Sequence, residues 1–472
     1  MAANVKLGKL LPATGLLEAA QIFAQNSRRS AVSALACPDN RPPQRRPVPF
    51  CALIPLSAAG FASSRLRLYC AAMSVWELLK LYQLYGWTAF VLALAVMPLA
   101  MWVARRFRVM DYPDTYLKPH ARPTPYLGGT AICIAWATAL VLALVKGMEV
   151  RLLLPLLLGG LAMSTLGLVD DVRGVSPKVR LFVGASVVLA VLIAAGAGFR
   201  LLDSIAVPIA GLSEDWFGVQ LPAIPAVISI PISLLISVFI VLGACNSTNL
   251  IDGLDGLCGG VTGIISLGFF LLASWLASWG YSPPGDPVRL VLAIAMFGAA
   301  MGFLPWNFNP ARIFMGDAGS VLLGFNCGML IVLFAEKGIA RWMIGALMIF
   351  ALPVFDTALA MFRRWRSGRS IFEGDRSHFY DQLLKRGWSV RQTVFICYGL
   401  TTLFGAIGLL VTWIGPDGVP VVRTRYAVPL YALVCVAAAL GANLAGLTNP
   451  EEKRSELCQT HSEKRSEELA DT

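Results

Sequence analysis

Three stretches of this chain set Asp and Asn beside glycine in otherwise apolar sequence. STLGLVDDVRGVSPKVRL makes Asp170 and Asp171 direct neighbours. Adjacent carboxylates repel, so keeping both ionised requires a cation, and an all-oxygen ligand set suits Mg²⁺, with Mn²⁺ as a substitute. Neighbouring helical residues point about 100° apart, so one of the pair can take the metal while the other addresses a substrate. In NSTNLIDGLDGLCGG, Asn246, Asn249, Asp252 and Asp255 recur at intervals of three. That spacing shares one face of a helical turn, and the glycines let a ligand approach the backbone. The stretch lacks the alternating acids and closing Glu of a calcium loop, which excludes that reading. In FLPWNFNPARIFMGDAGSVLLGF, Asn307 and Asn309 precede Pro310, and Asp317 sits between glycines where an apolar helix opens. A helix N-terminus keeps such a carboxylate ionised and available to metal, with neighbouring amides suited to phosphate.

Two basic stretches complement these acids. DYPDTYLKPHARPTPYLGG alternates Lys118, His120 and Arg122 ahead of Gly128 and Gly129. In an extended segment alternate side chains project to one side, and His120, one of three histidines, marks the stretch as a substrate contact. RRWRSGRSIFEGDRSHFYDQLLKRGWS carries Arg376 and His378, groups suited to a diphosphate or a departing nucleotide. Asp356, in LPVFDTALAMFRR, is a carboxylate inside an apolar run, where it must face protein or water.

The elements that position these residues are membrane helices. The chain has 472 residues, of which 57% are hydrophobic and 14% charged, with a net charge of +11. A soluble domain averages roughly 25% charged residues. The Lys and Arg fall in short clusters between apolar runs, which points to membrane sidedness and away from a nucleic-acid partner. Ten cysteines without a CxxC pair predict neither disulfides nor a zinc site. Eleven apolar segments approach the length of about 20 residues that crosses a bilayer: 84–104, 127–145, 152–169, 180–198, 225–243, 259–279, 288–305, 318–335, 341–362, 392–413 and 425–447. The expected fold is an all-α polytopic membrane protein of about eleven transmembrane helices, its active site built from cytoplasmic loops. Alternation puts loops 105–126, 170–179, 244–258, 306–317 and 363–391 on one side. They carry roughly twice the Lys and Arg of the opposite loops, so that side is cytoplasmic. Residues 1–72 read as a disordered or overextended N-terminus, 73–447 as the multi-span domain, and 448–472, with EKRSE repeated, as a charged cytoplasmic tail. A transporter would place its site near the bilayer midplane between related halves; here the polar residues gather at one face.

Taken in order, LGLVDD, NSTNLIDGLDGL and RIFMGDAGS resemble the polyprenyl-phosphate N-acetylhexosamine-1-phosphate transferase family, of glycosyltransferase family 4 type. That family includes initiators of enterobacterial common antigen, O-antigen and teichoic acid synthesis and the phospho-N-acetylmuramoyl-pentapeptide transferase of peptidoglycan synthesis. The resemblance implies transfer of a sugar-1-phosphate, N-acetylglucosamine-1-phosphate foremost, from a UDP-sugar to undecaprenyl or another polyprenyl phosphate, with release of UMP. It implies Mg²⁺, a bacterial inner-membrane location with a cytoplasmic active site, and a role in cell-wall or lipopolysaccharide synthesis; a homodimer is compatible with it. By the same resemblance Asp170 and Asp171 serve the lipid phosphate and the metal or diphosphate. Asp317 is the metal ligand with Asp171, and Asn249, Asp252 and Asp255 line the nucleotide-sugar pocket with Asn307. Lys118 and His120 match the basic first loop. The last-loop motif, with Arg376, is matched only in part: where relatives cluster histidines, this chain reads His378, Phe379, Tyr380, Asp381. This disfavours the peptidoglycan enzyme.

Overall fold

The computed structural model describes residues 74–112, 123–206, 224–278, 286–336, 340–366 and 378–414, with 431, 433, 435 and 436. All lie in one compact unit, Arg65–Thr472. The long helices are α1 (Val75–Arg106), α2 (Gly128–Val145), α3 (Val150–Arg173), α4 (Pro177–Ala195), α5 (Ala226–Leu250), α6 (Leu257–Ser278), α7 (Asp286–Asn307) and α8 (Gly316–Ala335). They are followed by α9 (Ala340–Ile349), α10 (Ala351–Arg366), the short α11 (Phe379–Lys385) and α12 (Val390–Thr412). Among the described residues nine helices are long and apolar enough to cross a membrane. The α9–α10 pair makes up to ten, and this is a multi-pass membrane protein. The predicted span 425–447 falls almost wholly outside the described residues.

Two elements differ from the sequence expectation. Helix α1 begins well before residue 84 because Ser74 and Glu77 form a capping box, each side chain accepting the other's backbone N–H, at 3.3 and 2.7 Å. Such reciprocal caps satisfy two otherwise orphaned donors. The segment expected as one span over 341–362 is broken: α9 and α10 meet at 74°. Pro353 stands in the first turn of α10, where a proline is tolerated but cannot extend the preceding helix through itself. Beyond the break, Leu352, Asp356, Leu359, Ala360 and Arg363 form the buried stripe of α10.

Helix α8 is the axis of the bundle and is buried along its whole apolar window. Small residues bring its neighbours close. A Cβ on Gly129 of α2 would lie 2.1 Å from the Gly319 nitrogen, and one on Gly324 would lie 2.5 Å from the Cα of Cys245 in α5. On the third side, Gly160, Ser164 and Gly167 of α3 face α8, with Ser164 Oγ donating to the Ala318 carbonyl at 2.9 Å. Close packing through small residues is what joins helices where lipid offers no hydrophobic drive. Its consequence is positional: the ends of α2, α3 and α5 all converge on the first turn of α8.

Candidate active site

That first turn opens at Gly316, whose φ of +69° suits a residue without Cβ. A Cβ there would come within 2.7 Å of an Asp171 carboxylate oxygen and 3.0 Å of the Tyr126 ring. The turn is clasped from outside by a short antiparallel pair, β1 (Met110–Asp111) and β2 (Thr124–Pro125). Phe314 N–H donates to the Pro125 carbonyl at 2.8 Å, and the amides of Gly128 and Gly129 donate to Phe314 and Met315 at 2.9 and 2.8 Å.

Helix α8 carries no side-chain cap of its own. Asp171, from the end of α3, supplies one: its two oxygens accept the N–H groups of Asp317 and Ala318 at 2.9 and 3.1 Å. The charge therefore sits where the α8 dipole is positive. Asp170 turns the other way, accepting Val175 N–H at 2.7 Å and the Arg180 guanidinium at 2.7 Å. The same Arg180 nitrogen reaches the Asp317 carboxylate at 2.7 Å, while Asn249, in the last turn of α5, donates to the other Asp317 oxygen at 2.6 Å and to Ser320 at 3.1 Å. Five side chains from four helices thus meet around Asp317.

Asp252 and Asp255 follow on the turn between α5 and α6. Asp252 accepts no hydrogen bond from the described residues. Burial, and then the charges of Asp317, Asp171 and Asp255, push its carboxyl up to about 8. Asp255 instead braces the 308–312 segment, accepting from Asn309 Nδ2 and the Ala311 amide at 3.0 and 2.9 Å. Arg391 of α12 holds the same segment through the Asn309 carbonyl. Asn307 accepts from Gly256 N–H and donates to the Ile313 carbonyl, both at 2.9 Å, so it ties the two motif segments together. His378 lies further along, its Nδ1 2.8 Å from Asp356 Oδ2. Lys118, His120 and Arg376 lie outside the described residues.

Many of the expected site residues stand at helix ends: Asp170 and Asp171 close α3, Asn249 closes α5, Asn307 closes α7 and Asp317 opens α8, while Asp252 and Asp255 stand on a turn. Two participants escaped the sequence. Arg180 sits in the first turns of a span, where a cation reads as a membrane-side charge. Tyr126 looks like an interfacial aromatic, yet burial and the carboxylates of Asp171, Asp317 and Asp252 hold its phenol far above the ordinary range. It is a neutral hydroxyl facing the acids.

The sequence profile described as glycosyl transferase family 4 matches residues 153–335, the segment that runs from α3 through α8. The decaprenyl-phosphate N-acetylglucosaminephosphotransferase of Mycolicibacterium smegmatis is 33% identical over 321 residues, 63% of this chain and 73% of the relative. The undecaprenyl-phosphate alpha-N-acetylglucosaminyl 1-phosphate transferase of Yersinia pestis is 29% identical over 352 residues, 72% and 88% of the two chains. A phospho-N-acetylmuramoyl-pentapeptide-transferase of Symbiobacterium thermophilum is 30% identical over 338 residues, 69% and 94%. With the motifs gathered at one end of the bundle and relatives covered over most of their length, the chain belongs to glycosyl transferase family 4, among the polyprenyl-phosphate N-acetylhexosamine-1-phosphate transferases.

Proposed function

We propose that this enzyme transfers N-acetylglucosamine-1-phosphate from UDP-N-acetylglucosamine to a polyprenyl phosphate, undecaprenyl phosphate in the simplest case, releasing UMP at the cytoplasmic face of a bacterial inner membrane. The observation that carries the reading is the convergence of Asp170, Asp171, Asp317 and Asn249 on the N-terminus of α8. Relatives named for this reaction share the segment that builds it.

Mg²⁺ fits the donors. Among the described residues no three His, Cys, Asp or Glu side chains are grouped to hold a metal unaided. Mg²⁺ usually takes one or two carboxylates and completes its shell with water and substrate phosphates, and Asp317 and Asp171 offer hard oxygens beside a phosphate-binding helix end. Bound there with the UDP diphosphate, the ion would neutralise charge developing as UMP leaves. The chain's own groups do the rest. Arg180 bridges Asp170 and Asp317 and supplies positive charge beside them. Asn249 fixes the Asp317 carboxylate. We assign to Asp170 the acceptance of a proton from the lipid phosphate. The attacking oxygen forms a bond to the β-phosphorus while the bond to the UMP oxygen breaks.

Purified protein incubated with undecaprenyl phosphate and a panel of UDP-sugars tests this directly. Mass analysis should find undecaprenyl diphosphate-N-acetylglucosamine and equimolar UMP. A lipid carrying the muramoyl-pentapeptide would replace the proposed donor, and no lipid product with any donor would remove the reading.

A further inference from the structure

Asp356 has no part in the chemistry above, yet its carboxylate is buried in an apolar helix, an arrangement that is costly unless partners compensate it. Both oxygens are used by one neighbour in space. Oδ2 lies 2.8 Å from His378 Nδ1, and Oδ1 accepts the Phe379 N–H at 2.7 Å. Asp356 belongs to the helix that follows the 74° break between α9 and α10. The imidazole is fixed from its flank as well: the Tyr380 ring stacks on it with centroids 5.4 Å apart at 7°. Tyr380 in turn donates to the Leu250 carbonyl at 3.0 Å, next to the turn that carries Asp252. His378 is therefore held in register with the nucleotide-sugar motif by a chain of contacts that begins at Asp356.

We propose that Asp356 is a positioning residue for the transferase, acting through His378: it holds the proton on Nδ1 and so assigns Nε2 as the nitrogen that meets the phosphate-bearing substrate. Which imidazole nitrogen serves a ligand is set by the bond the other one makes. An anion at Nδ1 also stabilises the imidazolium, the form that best holds a diphosphate or departing UMP. Among the described residues the charged groups that face His378 are Asp356 from α10 and Asp381 from α11, the latter through the His378 N–H at 3.2 Å, with Lys385 behind it. Of these two acids, Asp356 is the one whose carboxylate lies within hydrogen-bond distance of the ring, while Asp381 meets His378 through backbone groups of the capping box.

A purely structural role is distinguishable, because Asp356→Asn keeps an acceptor for the Phe379 amide while removing the anion from Nδ1. The proposal rests on the transferase reading. It predicts that Asp356→Asn lowers kcat about 10–100-fold, the usual range for a lost orienting partner, with an unchanged melting temperature in detergent. The alkaline limb of the pH profile, where the imidazolium loses its proton, should move to lower pH. In an His378→Gln background the same change should have no further effect. Asp381→Asn should move that limb less than Asp356→Asn does, because its carboxylate meets the His378 backbone and not the ring. The tautomer can be read without any variant at Asp356. In ¹⁵N-histidine-labelled protein, which has three histidines, the signals lost in His378→Gln should belong to an Nδ1–H imidazole. An Nε2–H tautomer in the wild type, or Asp356→Asn with wild-type kcat and pH profile, overturns the proposal. A wild-type protein that forms no UMP counts against the transferase reading instead, and leaves the tautomer measurement to decide this one.

Discussion

Both oxygens of Asp171 receive amide hydrogens from the first turn of α8, so this residue acts on fold and site together. Asp171→Ala should cost about 1–2 kcal/mol, the value of a helix cap with its charge–dipole term, seen as a lowered unfolding midpoint in detergent. Asp317 makes its bonds through side-chain partners, Asn249 and Arg180. Asp317→Asn keeps the shape and removes the charge; UMP release should fall about 10²–10³-fold, the scale of a lost electrostatic group in an active site, with the midpoint nearly unchanged. Asp252 gives a pH signature. Its folded carboxyl titrates at about 8, above the ordinary value of about 4, so the folded chain holds a proton that the unfolded chain has released. The stabilisation is complete below about pH 4 and is lost as pH rises towards 8. Asp252→Asn should flatten the fall in midpoint across that window. The acids were legible because Asp beside Gly stands out in apolar sequence. Their division of labour was not: Asp171 and the amides it caps are 146 and 147 residues apart, and Asp356 and His378 each drew notice without revealing that they meet.

At the scale of elements, the site depends on how closely α3 approaches α8. A Cβ on Gly167 would lie 2.4 Å from the Asp317 carbonyl oxygen. Gly167→Val must push the two helices apart at the level of Asp170, Asp171 and Asp317. Activity should drop at least as far as in Asp317→Asn, while circular dichroism keeps its helical signal. Hydropathy made the nine span-length helices among the described residues legible, since length and apolar content are all a span requires. It could not show the broken one, because α9 and α10 together are apolar enough to pass as a single span. Nor could it show that Asp170, Asp171 and Asp317 belong to helix ends. In sequence a loop and the last turn of a helix are equally polar, and at α8 the cap comes from Asp171, far away in the chain.

For the whole molecule, the glycine-lined contacts around α8 explain how residues spread from 170 to 317 come to one end of a bundle. The prediction of eleven spans and a cytoplasmic site combined parity with the Lys and Arg bias. The first and last basic motifs, with Lys118, His120 and Arg376, fall in segments outside the described residues. An enzyme with its chemistry at one membrane face differs from a transporter in a way that needs no membrane to detect. Radiolabelled UMP, UDP-N-acetylglucosamine and polyprenyl phosphate mixed with the purified protein in detergent should exchange label into the nucleotide-sugar. The exchange should require the lipid phosphate and Mg²⁺ and be lost in Asp317→Asn. Exchange that is absent, or that proceeds equally in Asp317→Asn, would contradict the account.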